Sequence, residues 1–136
     1  MKAVATTIAV LAILVAGCGA QSPEEQLRQT WQVTRDVLRE RDSAAFCALL
    51  SSRAREQVLD SVRRGSIPGA SSCESAFAKI FAMLEEKDRR TLELSKLLTV
   101  KIDGDTATTI DSTQGDGLST AWVRVDGRWR IDDVGF

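Results

Sequence analysis

The spacing of apolar residues changes near Arg90, and this change constrains the fold more than any other feature of the chain. Before it, apolar residues such as Leu27 and Trp31 recur every three or four positions, which indicates helices. After it, residues 97–110 and 120–132 alternate apolar and polar side chains, and each segment contains an Asp-Gly pair typical of a β-hairpin. Helices followed by antiparallel hairpins predict an α+β fold.

Local end signals divide the region before Arg90 into helices. Asp42 is a suitable N-cap, Gly65 a suitable C-terminal stop, and Ser71 with Glu74 has the spacing of a capping box. The predicted helices are 24–41, a short helix after Asp42, 53–64 and a fourth with Ser71 as its N-cap.

The two hairpins predict which side chains share a face of the sheet. A two-residue turn at Asp103-Gly104 pairs Val100 with Ala107. In the second hairpin, a two-residue turn at 126–127 would mix apolar and charged residues on both faces, whereas a three-residue loop with a bulge at Gly127 separates them. We therefore predict the bulge. In the first hairpin, the residues expected on one face of the sheet are Leu98, Val100, Ile102, Ala107 and Thr109. In the second hairpin, Val123 pairs with Trp129 and Ala121 with Ile131.

The N-terminus carries the one long apolar run, from Ala3 to Ala16. At about 1.5 Å per residue it reaches roughly 21 Å, short of the ~30 Å hydrocarbon core of a bilayer, so a secretory signal is expected. Residues 15–18 (VAGC) resemble the lipobox of bacterial lipoproteins. That resemblance implies cleavage after residue 17 and lipidation of Cys18. The alternative is an ordinary cleaved signal peptide.

This interpretation predicts three parts: a signal peptide over residues 1–17, a lipidated Cys18 with a tether over 18–23, and a single domain over 24–136. Two or three acyl chains give a stable membrane anchor. The expected location is the extracytoplasmic side of the cell membrane.

Charge and cysteine content narrow the function. Loss of the signal removes one of 18 basic residues against 19 acidic ones, and a nearly neutral chain argues against nucleic-acid binding.

Outside the cytoplasm, Cys47 and Cys73 predict a disulfide that stabilises the fold by about 3–4 kcal/mol. Redox catalysis is the alternative, but there is no Cys-x-x-Cys motif and no histidine. Two thiols without histidine also exclude a four-ligand zinc site.

Together, the helices, the cysteine pair and the hairpin sequences VKIDGDTA (100–107) and VRVDGRWRI (123–131) resemble the nuclear transport factor 2-like superfamily. In particular they resemble small extracytoplasmic actinobacterial lipoproteins that carry this domain. The resemblance implies a cone, in which a curved antiparallel sheet wraps the helices around a pocket.

Enzymes of that superfamily use an Asp or His base inside the cone, and this chain has neither His nor Tyr. Asp111, Asp132 and Asp133 are the candidate bases, each near a strand end where a solvated carboxylate is ordinary. We expect no enzyme activity and no cofactor. An isomerase or dehydratase with a lone Asp base is the alternative.

Two surfaces are candidates for binding at the cell envelope. The first is a pocket for an apolar small molecule such as a lipid, unless the same residues only fill the core. Its expected lining is Trp31, Phe77, Phe81, Val123 and Trp129. The second is a face of the sheet that could bind an acidic envelope protein or a second copy of the chain. Its residues are Trp122, Arg124, Arg128 and Arg130. The alternative is that arginine side chains only pack over an exposed tryptophan, without a binding role.

Overall fold

The computed structural model describes residues 19–114 and 119–135. Within these ranges, five helices precede a four-stranded antiparallel sheet whose strands follow chain order, so the protein is α+β as predicted. The helices are α1 (Pro23–Glu40), α2 (Ser43–Leu49), α3 (Ser52–Arg63), α4 (Cys73–Ala82) and α5 (Glu86–Leu94). The strands are β1 (Leu97–Asp103), β2 (Thr106–Asp111), β3 (Thr120–Val125) and β4 (Arg128–Ile131).

Side-chain caps set the helix starts. The hydroxyl of Ser22 accepts from the backbone N–H of Glu25, and Asp42 caps α2 as predicted. The fourth helix begins one residue later than predicted, because Ser72 is the N-cap and pairs with Ser75 rather than Ser71 with Glu74. Short polar side chains that satisfy free N–H groups explain these boundaries.

Helix α5 was not predicted. It lies in the region where the helical pattern fades, and none of its residues is buried. Asp88 accepts a hydrogen bond at 2.7 Å from the backbone N–H of Glu85, which satisfies one free donor at its start. A helix with so little buried apolar surface gives a weak periodic signal.

The predicted cysteine pairing is present at bonding distance. The sulfur atoms of Cys47 and Cys73 are 2.07 Å apart, and they join α2 to the first residue of α4. Both cysteines are buried in the core, beside aromatic and aliphatic side chains from the helices. The link therefore holds together two helices that also pack against each other.

The first hairpin differs from the prediction by two residues of register. Its turn residues are Gly104 and Asp105, so Val100 pairs with Thr109 and Ile102 with Ala107. A two-residue slip leaves faces unchanged, and four of the five predicted residues do share the inner face. Leu98 does not: a bulge between Leu97 and Thr99 interrupts the alternation, and Leu98 is 64% exposed.

The second hairpin contradicts the predicted bulge. Asp126 and Gly127 form a two-residue turn with φ of 50° and 73°, the pattern of a type I′ turn, whose twist matches that of the flanking strands. Trp122 therefore pairs with Ile131 and Arg124 with Trp129, all on the inner face. The pairing predicted for Val123 and Ala121 is wrong.

Candidate functional site

A cleft lies between the helices and the inner face of the sheet. It has two adjoining chambers of about 270 and 460 Å³, of the order of the 300–1,000 Å³ found for small-molecule sites. The residues that line both chambers are Leu38, Phe46, Phe77, Leu92, Thr113 and Val134. Five of these six shared side chains are apolar, so the two chambers form one apolar cleft.

Helix α1 forms one wall through its periodicity. Trp31, Arg35 and Leu38 are spaced by four and three residues, which places them on the same side of the helix. Leu38 borders both chambers, while Trp31 and Arg35 line only the smaller one. Opposite them, Leu92 reaches the cleft from α5.

Three phenylalanine rings form the wall beneath the cleft. Phe46 comes from α2, and Phe77 and Phe81 come one turn apart from α4. The ring centroid of Phe46 lies 4.5 Å from that of Phe77 and 5.6 Å from that of Phe81. These distances and the tilted ring planes are those of favourable aromatic pairs. The wall is aromatic and apolar.

Asp111, at the end of β2, is the main polar group of the smaller chamber. Its Oδ2 accepts a hydrogen bond from Trp31 Nε1 at 3.4 Å, and its Oδ1 accepts from the backbone N–H of Thr113 at 2.8 Å and from the Thr113 hydroxyl. Gln114 donates to the Thr120 hydroxyl nearby, at 2.9 Å. These bonds hold the carboxylate in place at the edge of the apolar surface.

Arg35 lies beside Trp31 in the same chamber. Its guanidinium carbon is 5.4 Å from the centre of the Trp31 ring, within range of a cation–π contact. Nη1 donates to the Ser95 carbonyl oxygen at 3.4 Å, and Nη2 is 3.8 Å from Asp36 Oδ1. The chamber thus has aromatic, anionic and cationic groups at one end and an apolar wall at the other.

The predicted pocket residues divide into three groups. Trp31, Phe77 and Phe81 line the cleft. Trp129 is buried in the core instead, where its Nε1 donates to the carbonyl of Pro23 at 2.9 Å. Val123 lies on the outer face of the sheet, so its assignment to the pocket is wrong and follows from the wrong register.

The predicted partner face also fails because of the register. Trp122 is 2% exposed, lines the cleft from β3, and donates from Nε1 to the Thr109 hydroxyl at 2.8 Å. Arg124 shares that inner face and reaches Gln26 Oε1 at 3.4 Å. Arg128 and Arg130 remain on the outer face, where Arg130 donates to the Ala48 carbonyl. No face combines Trp122 with all three arginines.

The three candidate aspartates occupy different surroundings. Asp111 and Asp133 line the smaller chamber. Asp132 lies elsewhere, bonded to the Ser51 hydroxyl at 2.7 Å and paired with Arg53 at 3.0 Å. Asp132 therefore connects the end of β4 to the start of α3.

Sequence patterns missed the contribution of α5 and of Trp122 to the cleft. The Glu85–Asp88 spacing of a capping box was a usable signal for α5. For Trp122, the Asp-Gly dipeptide was the stronger signal, because it favours a two-residue type I′ turn.

The expected signal peptide (residues 1–17) and the expected lipidation site, Cys18, lie outside the described residues. No helix among the described residues is long and apolar enough to cross a membrane. Within the same ranges, no three His, Cys, Asp or Glu side chains are grouped so that they could hold a metal ion.

The chain matches no known family model, no curated protein and no solved structure.

Proposed function

We propose that this protein binds an apolar small molecule in the cleft between α1, α5 and the sheet. The observation that carries the proposal is that the two chambers adjoin and share Leu38, Phe46, Phe77 and Leu92 as apolar walls. Small-molecule sites combine such walls with a few fixed polar groups. Asp111 and Arg35 supply those polar groups at one end.

A neutral fluorescent probe, N-phenyl-1-naphthylamine, tests the proposal. The protein is the chain from Gly19 onward, without the lipidation site, which contains every helix and strand described; it is exported so that Cys47 and Cys73 can pair. Leu92→Trp enlarges a side chain that borders both chambers, so we expect at least a tenfold loss of probe affinity. Fluorescence titration gives the dissociation constants.

Leu94→Trp is the matched control for this experiment. Leu94 lies on the same helix but is 69% exposed and outside the cleft lining, so its variant should bind the probe like the unmodified protein. Equal affinity of the Leu92 and Leu94 variants would contradict the proposal, because the probe would then be bound elsewhere.

We place this binding activity at the cell envelope, on a lipid anchor attached to Cys18. The support is the sequence VAGC at residues 15–18 and the short polar segment that precedes Pro23, the first residue of α1. An apolar guest suits a protein held at a membrane surface.

The nuclear transport factor 2-like cone is our proposal for the finer description of the fold. It is supported by the order of elements, with helices before an antiparallel meander, and by the bulge in β1, since bulges bend strands. An experimentally determined structure with a flat sheet would contradict it.

The alternative function is a cone enzyme with a lone aspartate base. Asp111 would be that base, because it lines the cleft whereas Asp132 is tied to Ser51 and Arg53. A ligand that copurifies and is recovered chemically unchanged after incubation supports binding. A time-dependent change in its mass that Asp111→Asn abolishes would support the enzyme.

A further inference from the structure

The cleft lining contains more acidic than basic side chains. Among the described residues, the smaller chamber has the carboxylates of Asp111 and Asp133, and the larger has that of Asp88. The one cationic side chain in either described lining is Arg35. Within residues 19–114 and 119–135, none of these three carboxylates forms an ion pair. The cleft thus presents more negative than positive charge to a guest.

The positive charge of Arg35 already has partners among its neighbours. Asp36 lies 3.8 Å from its Nη2, the Ser95 carbonyl accepts from its Nη1, and the Trp31 ring lies beneath its guanidinium. An incoming anion would have to compete with these contacts, in a chamber that two carboxylates, those of Asp111 and Asp133, also line. Like charges so placed oppose binding.

The carboxylate of Asp111 has no charged partner among the described residues. It is half-buried, and its described hydrogen-bond donors, the Trp31 indole and the N–H and hydroxyl of Thr113, are all neutral. A carboxylate withdrawn from water gains most from a positively charged partner. Asp133 lines the same chamber, so a second carboxylate adds to the negative charge that a cationic head group would meet.

We propose that the cleft selects amphiphiles with a positively charged amine head, which lies at Asp111 while the alkyl tail lies along the phenylalanine wall. This inference rests on the proposed function, since it names the class of ligand for the same cleft. It distinguishes long-chain amines from fatty acids, whose tails are alike and whose heads have opposite charges.

Displacement of N-phenyl-1-naphthylamine by three twelve-carbon compounds tests the inference at pH 7, below their micelle concentrations. The compounds are dodecylamine, 1-dodecanol and laurate. We expect dodecylamine to displace the probe at a concentration at least tenfold lower than laurate, with dodecanol between them. The difference should shrink as salt rises, because salt screens the head-group interaction.

Asp111→Asn should reduce the preference for dodecylamine over dodecanol by about three- to tenfold. Asp103→Asn is the matched control: it removes the same charge from an exposed residue outside the cleft and should leave the preference unchanged. If Asp111→Asn fails to fold by circular dichroism, Asp133→Asn replaces it, since Asp133 is an exposed residue of the same chamber.

The outcomes separate the two proposals. Displacement by laurate at an equal or lower concentration than dodecylamine would overturn the inference and leave the apolar cleft as the binding site. Absence of probe binding, or equal probe binding by the Leu92→Trp and Leu94→Trp variants, would overturn the proposed function. An amine preference that persists in a folded Asp111→Asn variant, or in Asp133→Asn where Asp111→Asn does not fold, would place the head group elsewhere and overturn the inference.

Discussion

Trp122 shows how a residue can belong to the core although a charged residue follows it on the same face of the strand. It lies two residues before Arg124, yet its ring faces the helices and its Nε1 donates to Thr109. The buried hydroxyl of Thr109 and the indole N–H satisfy each other, and so neither is left unpaired in the core.

Trp122→Phe should lower the free energy of unfolding by about 2–3 kcal/mol. The change removes ring volume from the core and leaves the buried Thr109 hydroxyl without its described donor. Urea denaturation monitored by circular dichroism measures the loss. Arg128→Ala, on the exposed outer face, should change stability by no more than about 0.5 kcal/mol. Similar losses in both variants would contradict the buried position of Trp122.

Arg124 explains why charge separation was a misleading guide to register. Its side chain lies on the inner face beside Trp129, and its guanidinium reaches Gln26 on α1. A long arginine stem can cover apolar surface while its head reaches a polar partner at the edge of the core. A charged residue therefore does not by itself assign a strand position to the outer face.

At the scale of elements, α1 to α4 were predictable because each has an end signal and an apolar stripe. Asp42 and Gly65 marked boundaries that agree with the structure, and the Cys47–Cys73 pairing followed from the expected location outside the cytoplasm. Helix α5 lacks a buried stripe, and its contribution to the cleft depends on where it packs against α1.

The low burial of α5 has a dynamic consequence. We expect its backbone amides to exchange with deuterium faster than those of α4, which buries Cys73, Ala76, Phe77 and Phe81. Hydrogen exchange followed by mass spectrometry measures both helices. Addition of N-phenyl-1-naphthylamine should slow exchange in α5, because Leu92 borders the proposed ligand. Protection of α5 equal to that of α4 in the free protein would contradict this expectation.

At the scale of the whole molecule, location depends on the chain before α1. If Cys18 is lipidated, only residues 19–22 separate it from the first helical residue, Pro23, so the domain stays close to the bilayer. Cys18→Ala should move the protein from the detergent phase to the aqueous phase in Triton X-114 partitioning. Cys47→Ala, which leaves the lipobox intact, is the control and should remain in the detergent phase. Detergent partitioning of Cys18→Ala equal to that of the unmodified protein would contradict lipidation at Cys18.

The sequence by itself determined the α+β class, the helix start after Asp42, the helix end before Gly65 and the pairing of Cys47 with Cys73, because these depend on local caps, periodicity and residue type. Only the tertiary structure decided the register of the second hairpin and the formation of the cleft. A change of one residue in the turn moves Trp122 from one face of the sheet to the other, and the side chains that compete for the core come from distant helices. Trp31 and Asp111, 80 residues apart in the chain, meet only when α1 packs on the end of β2.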